Sequence, residues 1–501
     1  MNPLSFSKWM ARFFFPLRLF VLTPLIPFLV MAQTQPVSVT VTTDGNGADL
    51  SPRFLGLSYE MSMLLPMNGR YYFDPNDQAL INTFQTLGIK SLRVGANAVD
   101  DPRIPVPQEK DIDMLFKFAR AAGVKVIYSF RLKNGDPSES ARLAGYIAAH
   151  DTDVLDCFSI GNEPGMYIPK FDAFYAQWKP HYDAILKAVP AAMFDGPSEV
   201  KEHAYALELP KVLFADGHLA MASDHYYFLG SGRAGEKNPS ATRSRFLSNN
   251  LHAQYEKDYA EIGAVLAAQG VPYRMDELNS CYNGGAKDSS DTYASTLWAL
   301  DCTHWWAAHH ILGMNYHTGE SLGRDGSGGT NLAAVGGVPI AGVNVDPNYT
   351  AFVHQADGHG IAMRPQAYAF LTFSQGARGQ SLEVKIQAAP AFNFNAYAYR
   401  DHDDSIFVTL INKSFGDNAQ PASVLLQLPQ VTGRGTWQRM DLVQKNQDVA
   451  AKTGVRLGGA SIDSQGIWPG RWKKIKGGNS VNLTVQVVPA SATILHFSPA
   501  K

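Results

Sequence analysis

The chain has 501 residues, 45% of them hydrophobic and 18% charged, with 43 Lys and Arg against 45 Asp and Glu. That length exceeds what one core usually organises, so two folded units are expected. The composition excludes low-complexity disorder, and the near balance of charge leaves no sequence-wide basic field for nucleic acid or a polyanion, while saying nothing against a local patch.

Residues 1–32 read as a signal peptide rather than as part of the fold. Lys8, Arg12 and Arg18 precede the apolar run Leu19–Met31, and Val30-Met31-Ala32 has the small-residue pattern of a signal-peptidase site. Pro24 and Pro27 interrupt a run already shorter than the ~20 apolar residues of a spanning helix, which favours cleavage over anchoring and a secreted or periplasmic protein. No other segment reads as membrane-spanning. Cys157, Cys281 and Cys302 cannot make a disulfide framework; at most one bridge forms, between Cys281 and Cys302, and two buried thiols explain that pair equally well.

Val37–Thr43 has β character and lies in an N-terminal segment, 33–50, that is expected to join a sheet formed later in the chain. Eight short apolar or β-branched runs follow, at Phe54–Ser58, Ile89–Val94, Val124–Phe130, Leu155–Ile160, Met193–Asp195, Met221–Phe228, Val271–Met275 and Ile311–Tyr316. Helical patterns separate several of them. Leu80, Ile81, Phe84 and Leu87 make one apolar face ended by Gly88; Ile112, Leu115, Phe116 and Ala119 repeat the design before Gly123. Asp136-Pro137-Ser138-Glu139 reads as N-cap, first-turn proline and capping-box glutamate of a helix through Ala149, and further helices fit Phe171–Val189 and Asp291–His310. Strands alternating with helices imply a parallel sheet, and eight of them over 51–366 point to a closed (β/α)8 TIM barrel. The Gly-rich stretch Gly319–Gly342 reads as an extended loop at its functional end. From Ala367 the pattern changes to two-residue alternation, clearest at Ser405–Ile411, Ser423–Leu428, Val481–Val488 and Thr493–Phe497, so 367–501 is expected to be an antiparallel β-sandwich completed by the N-terminal strand.

The chemistry concentrates where barrel strands end. Ser159-Ile160-Gly161-Asn162-Glu163-Pro164 closes the fourth strand and Tyr273-Arg274-Met275-Asp276-Glu277-Leu278-Asn279 the seventh, and in this fold such ends converge on one pocket. Glycosidic cleavage with retention needs two carboxyl groups about 5–5.5 Å apart, one protonating the departing oxygen and the other attacking the anomeric carbon. Glu163 is read as the acid/base and Glu277 as the nucleophile. Asp276 competes for the second role, but strand alternation points neighbours to opposite sides.

Asn-Glu-Pro after the fourth strand and a glutamate after the seventh resemble the large clan of retaining hydrolases built on this barrel. The resemblance implies that Asn162 binds the 2-hydroxyl of the attacked sugar. Asp224-His225-Tyr226-Tyr227 is similar to the clan segment that supplies a tyrosine to position the nucleophile, which selects Tyr227. The whole layout from Phe54 to the C-terminal sandwich resembles glycoside hydrolase family 79, which contains β-glucuronidases and heparanase. Gly313-Met314-Asn315-Tyr316-His317 resembles the family segment whose tyrosine hydroxyl and neighbouring backbone amides hold the uronic carboxylate, so Tyr316, with Asn315 beside it, is expected in that role. Glu60, Asn97 and Tyr282 match positions where the family contacts the sugar.

Other chemistry finds little support. His304, His309 and His310 lack the i, i+4 spacing of a metal-binding helix and are expected to cap or pack their own, so no metal and no cofactor is assigned. The expected function is a secreted, retaining exo-β-glucuronidase acting on a glucuronic-acid-containing glycoside, with no nucleic-acid or membrane partner. The alternatives are a clan relative acting on a neutral sugar, an endo-acting heparanase-like enzyme, and a non-catalytic carbohydrate-binding protein.

Overall fold

The computed structural model describes residues 34–43, 47, 49–66, 69–320, 347–355, 360–431, 434–476 and 480–500. The proposed signal peptide, and all of the Gly-rich loop except Gly319 and Glu320, lie outside the described residues. No described helix is long and apolar enough to cross a membrane.

After β1 (Gln35–Thr42), eight parallel strands close into a barrel: β2 (Leu55–Glu60), β3 (Ser91–Gly95), β4 (Lys125–Phe130), β5 (Leu155–Ile160), β6 (Phe194–Glu199), β7 (Leu219–Tyr227), β8 (Tyr273–Asn279) and β9 (Gly313–His317). Each falls on one of the eight apolar runs. The fifth strand, seen in the sequence only as Met193–Asp195, extends through Glu199, because Gly196-Pro197-Ser198-Glu199 carries no apolar signal although all of it is buried. The helices between strands end where the glycines demand. Gly88 and Gly123 take the left-handed conformation that a residue with a Cβ adopts at a cost, and their N–H groups close the last turns of Gln78–Leu87 and Glu109–Ala122. At Pro137–His150 the Asp136 side chain accepts from the Ser138 N–H as an N-cap should. Glu139, however, pairs with Arg142 instead of completing a capping box, and the reciprocal box occurs at Gln108 and Asp111.

Ala367–Gly376, read from the sequence as the opening of the sheet domain, is a helix packed on Tyr293–Ala308; it is buried almost all round, and an apolar run without a polar face carries neither periodicity. The later strands are β10 (Phe352–His354) and β11 (Ile361–Met363), a small hairpin, then β12 (Gln380–Gln387), β13 (Phe394–Arg400), β14 (Ile406–Asn412), β15 (Ala422–Gln427), β16 (Gly435–Gln444), β17 (Val455–Leu457), β18 (Lys473–Lys474), β19 (Asn482–Val487) and β20 (Ser491–Pro499). The strands from β12 onward, with β1, form one curled, mainly antiparallel sheet folded over its own apolar core, in which Val37, Val39 and Val41 of β1 meet Val424, Leu426 and Val485. β1 lies between β12 and β15, antiparallel to the first and parallel to the second, so the N-terminal segment completes the sandwich.

The sandwich docks on the barrel through a buried charged network. Lys413, the residue after β14, reaches Asp301 of helix Tyr293–Ala308 at 2.6 Å, and Tyr397 and Asn395 of β13 also donate to that carboxylate. His304 on the same helix bonds the Tyr399 hydroxyl and stacks on Tyr397, and His309 bonds the Trp305 carbonyl near its C-terminus. The three cysteines are buried free thiols; Cys281 follows β8 beside Ser290, whereas Cys302 faces Tyr255 and Tyr316, so the expected pair makes no bridge.

Candidate active site

Two backbone irregularities aim the carboxylates. After β5, Gly161 turns with φ +85°, and Glu163 itself sits at φ 44°, ψ 52°, a left-handed conformation uncommon for a residue with a side chain. The surroundings hold it there: the Glu163 N–H donates to the Ser198 carbonyl of β6, and Pro164 opens a single 3-10 turn. On β8 the pairing with β7 passes from Asp224↔Met275 to His225↔Glu277, leaving Asp276 as the extra residue of a bulge. Alternation alone therefore does not separate Asp276 from Glu277. Both carboxylates approach the Arg93 guanidinium, but Glu277 faces the pocket and Asp276, with no exposed side-chain surface, lies beneath its floor.

Glu163 and Glu277 come together with His225: one oxygen from each carboxyl group and one ring nitrogen all lie within 4.8 Å of one another. Glu277 is 2% exposed and accepts from Tyr227 Oη at 2.6 Å and Arg93 Nη1 at 2.7 Å. Burial alone would raise its carboxyl; the charges at His317, His225 and Arg93 and the Tyr227 hydroxyl outweigh that and hold it down to about 2. The His225 ring bridges outward to Glu163 Oε1 at 3.0 Å and inward to Asp276 Oδ1 at 3.4 Å. Burial opposes its protonation, but the surrounding carboxylates raise it to about 10. Both ring nitrogens of His225 face carboxylates and each oxygen of Glu277 accepts a hydrogen bond, so these three residues form an acid–base cluster, and no metal is assigned to it.

These groups open on a cavity of about 1400 Å³ at the C-terminal ends of the barrel strands. Asn162, 3% exposed, is fixed by Arg93 Nη2 and by Asn97, and its own N–H donates to Asp100. Glu60 accepts the Ala98 N–H at 2.7 Å; burial, and after it the charge of Glu277, push its carboxyl up to about 8. Asn97 and Tyr282 also line the cavity.

Tyr316 and Asn315 are not in this cavity. The Tyr316 side chain points out of the barrel, where its hydroxyl bonds Thr303 at 2.8 Å and its ring packs on Phe370 and Trp298. Asn315 points inward but one layer too deep, and is held by Arg274, Ser91 and the Leu57 carbonyl. The correction follows from strand geometry: on β9 only alternate residues face the barrel axis, and of the inward pair Asn315 and His317 only the last reaches the mouth. His317 stands between Glu277 Oε2 at 3.6 Å and Glu60 Oε1 at 3.8 Å; burial lowers its pKa, against the pull of the Glu277 carboxylate.

The sequence reading missed four groups of the site. Arg93 was visible as a lone charge between Leu92 and Val94 of an apolar strand. His225 and His317 stand two residues from Tyr227 and Asn315 in segments already singled out, where period-two reasoning would have found them. Tyr349, which packs against Tyr227 and His317 in the cavity wall, follows the Gly-rich stretch and had no signal.

No protein-family model matches the chain. Over 343 residues it is 24% identical to a β-glucuronidase of Aspergillus niger, an alignment covering 57% of this chain and 61% of that protein, less than two thirds of the relative's length. Among solved structures it is similar to a 4-O-α-L-rhamnosyl-β-D-glucuronidase from Fusarium oxysporum, with TM-score 0.66 and 15% identity over 93% of this chain and 99% of the other. It is also similar to a family 51 arabinofuranosidase from Xanthomonas axonopodis pv. citri, with TM-score 0.61 and 13% identity over 93% and 100% of the two chains. The fold these comparisons define is the closed (β/α)8 barrel carrying a C-terminal β-sandwich.

Proposed function

We propose that the protein is an exported, retaining exo-β-glucuronidase of the family 79 kind. The observation that carries the mechanism is the approach of one oxygen of Glu163 to within 4.8 Å of one oxygen of Glu277, which favours direct attack by a carboxylate over the wider spacing of an inverting pair. Glu277 is buried, held ionised and oriented by Tyr227 and Arg93, and attacks the anomeric carbon. Glu163, with 14% of its side chain exposed on the open side of the cavity, protonates the leaving oxygen and then deprotonates the water that releases the sugar. Asn162, presented by Arg93 and Asn97, binds the 2-hydroxyl. The similarity to two glucuronidases favours a uronic acid, and the neutral donors at the cavity end around Glu60, Tyr282 and Tyr349 suit an anionic sugar placed beside Glu277. The similarity to the arabinofuranosidase supports the second reading, a neutral sugar.

Two measurements test this. Aryl β-glucuronide, β-glucoside and α-arabinofuranoside assayed together should show the glucuronide turned over fastest; preference for either neutral sugar would replace the substrate assignment. Early NMR spectra of the reaction, taken before mutarotation, should show the β-anomer of the free sugar first, and initial release of the α-anomer would remove Glu277 from the nucleophile role.

A further inference from the structure

We propose that Asp276, the residue before the nucleophile, is a positioning residue: through His225 it keeps the mobile proton of the site on the hydrogen bond between His225 Nδ1 and Glu163 Oε1. The proposal rests on Glu163 being the acid/base.

The geometry is that of a buried carboxylate–imidazole–carboxylate chain. His225 and Asp276 have no exposed side-chain surface, and His225 Nε2 faces Asp276 Oδ1 at 3.4 Å. Neither atom has a hydrogen-bond partner elsewhere among the described residues, so each is the other's only counterpart. The far oxygen of Asp276 is fixed by Ser198 Oγ at 2.6 Å and by the Arg93 Nε at 3.4 Å. The bulge on β8 makes this possible, because it turns Asp276 under the floor of the cavity while its neighbour Glu277 stays on top. Asp276 therefore touches no substrate.

The charged and titratable groups around the chain are Arg93 from β3, Glu163 after β5, Asp195 from β6, Asp224 from β7, Glu277 on β8 itself and His317 from β9. Burial, reinforced by the charge of Asp276, pushes the Asp195 carboxyl well up, so Asp195 keeps a proton. Asp276, despite its burial, is held ionised by Arg93 and His225. A fixed anion at Nε2 keeps the proton there in place and leaves Nδ1 to share one with Glu163. In the first step Glu163 gives a proton to the glycosidic oxygen as that C–O bond breaks and the bond to Glu277 forms. In the second, Glu163 takes a proton from water as water attacks the anomeric carbon and Glu277 departs. Asp276 gains and loses no proton in either step.

The test is the pH profile of Asp276→Asn. Removing the anion weakens the site's hold on the shared proton, so the alkaline limb of kcat/KM for a glycoside with a poor leaving group should move down by about one pH unit or more. Turnover of an activated aryl glycoside, which needs little protonation, should fall far less. Should Asp276→Asn not fold, Ser198→Ala keeps the carboxylate, removes the hydroxyl that fixes it, and should move the limb in the same direction by less. An unmoved limb with equal losses on both substrates would overturn the proposal and make Asp276 structural. Failure of Glu163→Gln to spare the activated substrate and to respond to azide is a separate result, which would refute the acid/base assignment itself.

Discussion

Replacing Arg93 by methionine separates what the guanidinium does for folding from what it does for Glu277. Its side chain is fully buried and reaches Glu277 at 2.7 Å, Asn162 at 2.8 Å, Ser58 at 3.1 Å and Asp276 at 3.4 Å. Methionine preserves most of the volume and strands two buried carboxylates, and breaking a buried pair from one side costs about 3–5 kcal/mol. In the active site, burial would then act on Glu277 against only His317, His225 and the Tyr227 hydroxyl, so its carboxyl rises from about 2. Activity that requires the ionised form is present above the carboxyl's pKa and lost below it, so the acidic limb of kcat/KM should move up by about one unit or more. Tyr227→Phe is the comparison, because it removes one donor to Glu277 and no charge; a loss of about 1.5–3 kcal/mol should appear as about 10–150-fold in kcat/KM, with a smaller change in stability. Urea unfolding, pH–rate profiles and the rate of labelling by a 2-fluoro glycosyl fluoride, which needs no acid catalyst, read the effects independently. An Arg93→Met protein with native stability and an unmoved acidic limb would refute the reasoning.

Tyr316→Phe should change kcat/KM for the glucuronide less than twofold, because the hydroxyl points to Thr303 outside the barrel, and should cost about 0.5–1.5 kcal/mol in urea unfolding; selective loss of glucuronide turnover would return the residue to the site. Lys413→Met should destabilise the chain by about 3–5 kcal/mol by removing the buried lysine from Asp301 between barrel and sandwich, where His252, Tyr397 and Asn395 remain. Asp301 has its carboxyl held far below the ordinary range: burial raises it, but Lys413 and His252 prevail. The stability this contributes is therefore present above the unfolded value of about 3.9 and lost as pH falls below it, so melting temperatures of wild type and variant should converge in acid.

The barrel was legible because every strand carried its own apolar run and the first helices their own start or stop signals, so local signals agreed with the global fold. What escaped was buried on all sides or polar inside. Ala367–Gly376 shows no amphipathic face, and the inner half of β6, Gly196-Pro197-Ser198-Glu199, looks like a loop until the barrel closes around it. Glu163 and Glu277 could be placed at one pocket because a strand end can be located within a residue or so. Tyr316 was misplaced for the same reason: an error of one position on a strand reverses the side on which a residue stands, and Asn315, Tyr316 and His317 have three different destinations. Arg93 escaped, and Asp276 was read only as a rival nucleophile, because a charge inside a barrel is legible only as part of a network, and the partners come from β2, the turn after β5, β7 and β8.

With Tyr316 outside the cavity, the tolerance of the site for a negatively charged sugar depends on keeping other negative charge away from it, and Glu60 is where that condition is exposed to pH. Its Oε2 accepts the Ala98 N–H, so the proton of the neutral acid belongs on Oε1, which faces His317 and the cavity. At neutral pH Glu60 is then a donor beside Glu277; above about 8 it becomes a second anion there. A glucuronide should feel that change and a glucoside should not. KM for the glucuronide is therefore expected to rise as pH passes about 8, KM for the matching glucoside to stay flat, and Glu60→Gln to abolish the difference while leaving the neutral-pH values of the two substrates in their original order. Parallel KM profiles for the two sugars in the wild-type enzyme would mean that the uronic carboxylate lies away from Glu60, and the search for its ligands would move to the arginine-bearing wall of the cavity at Arg233 and Arg245.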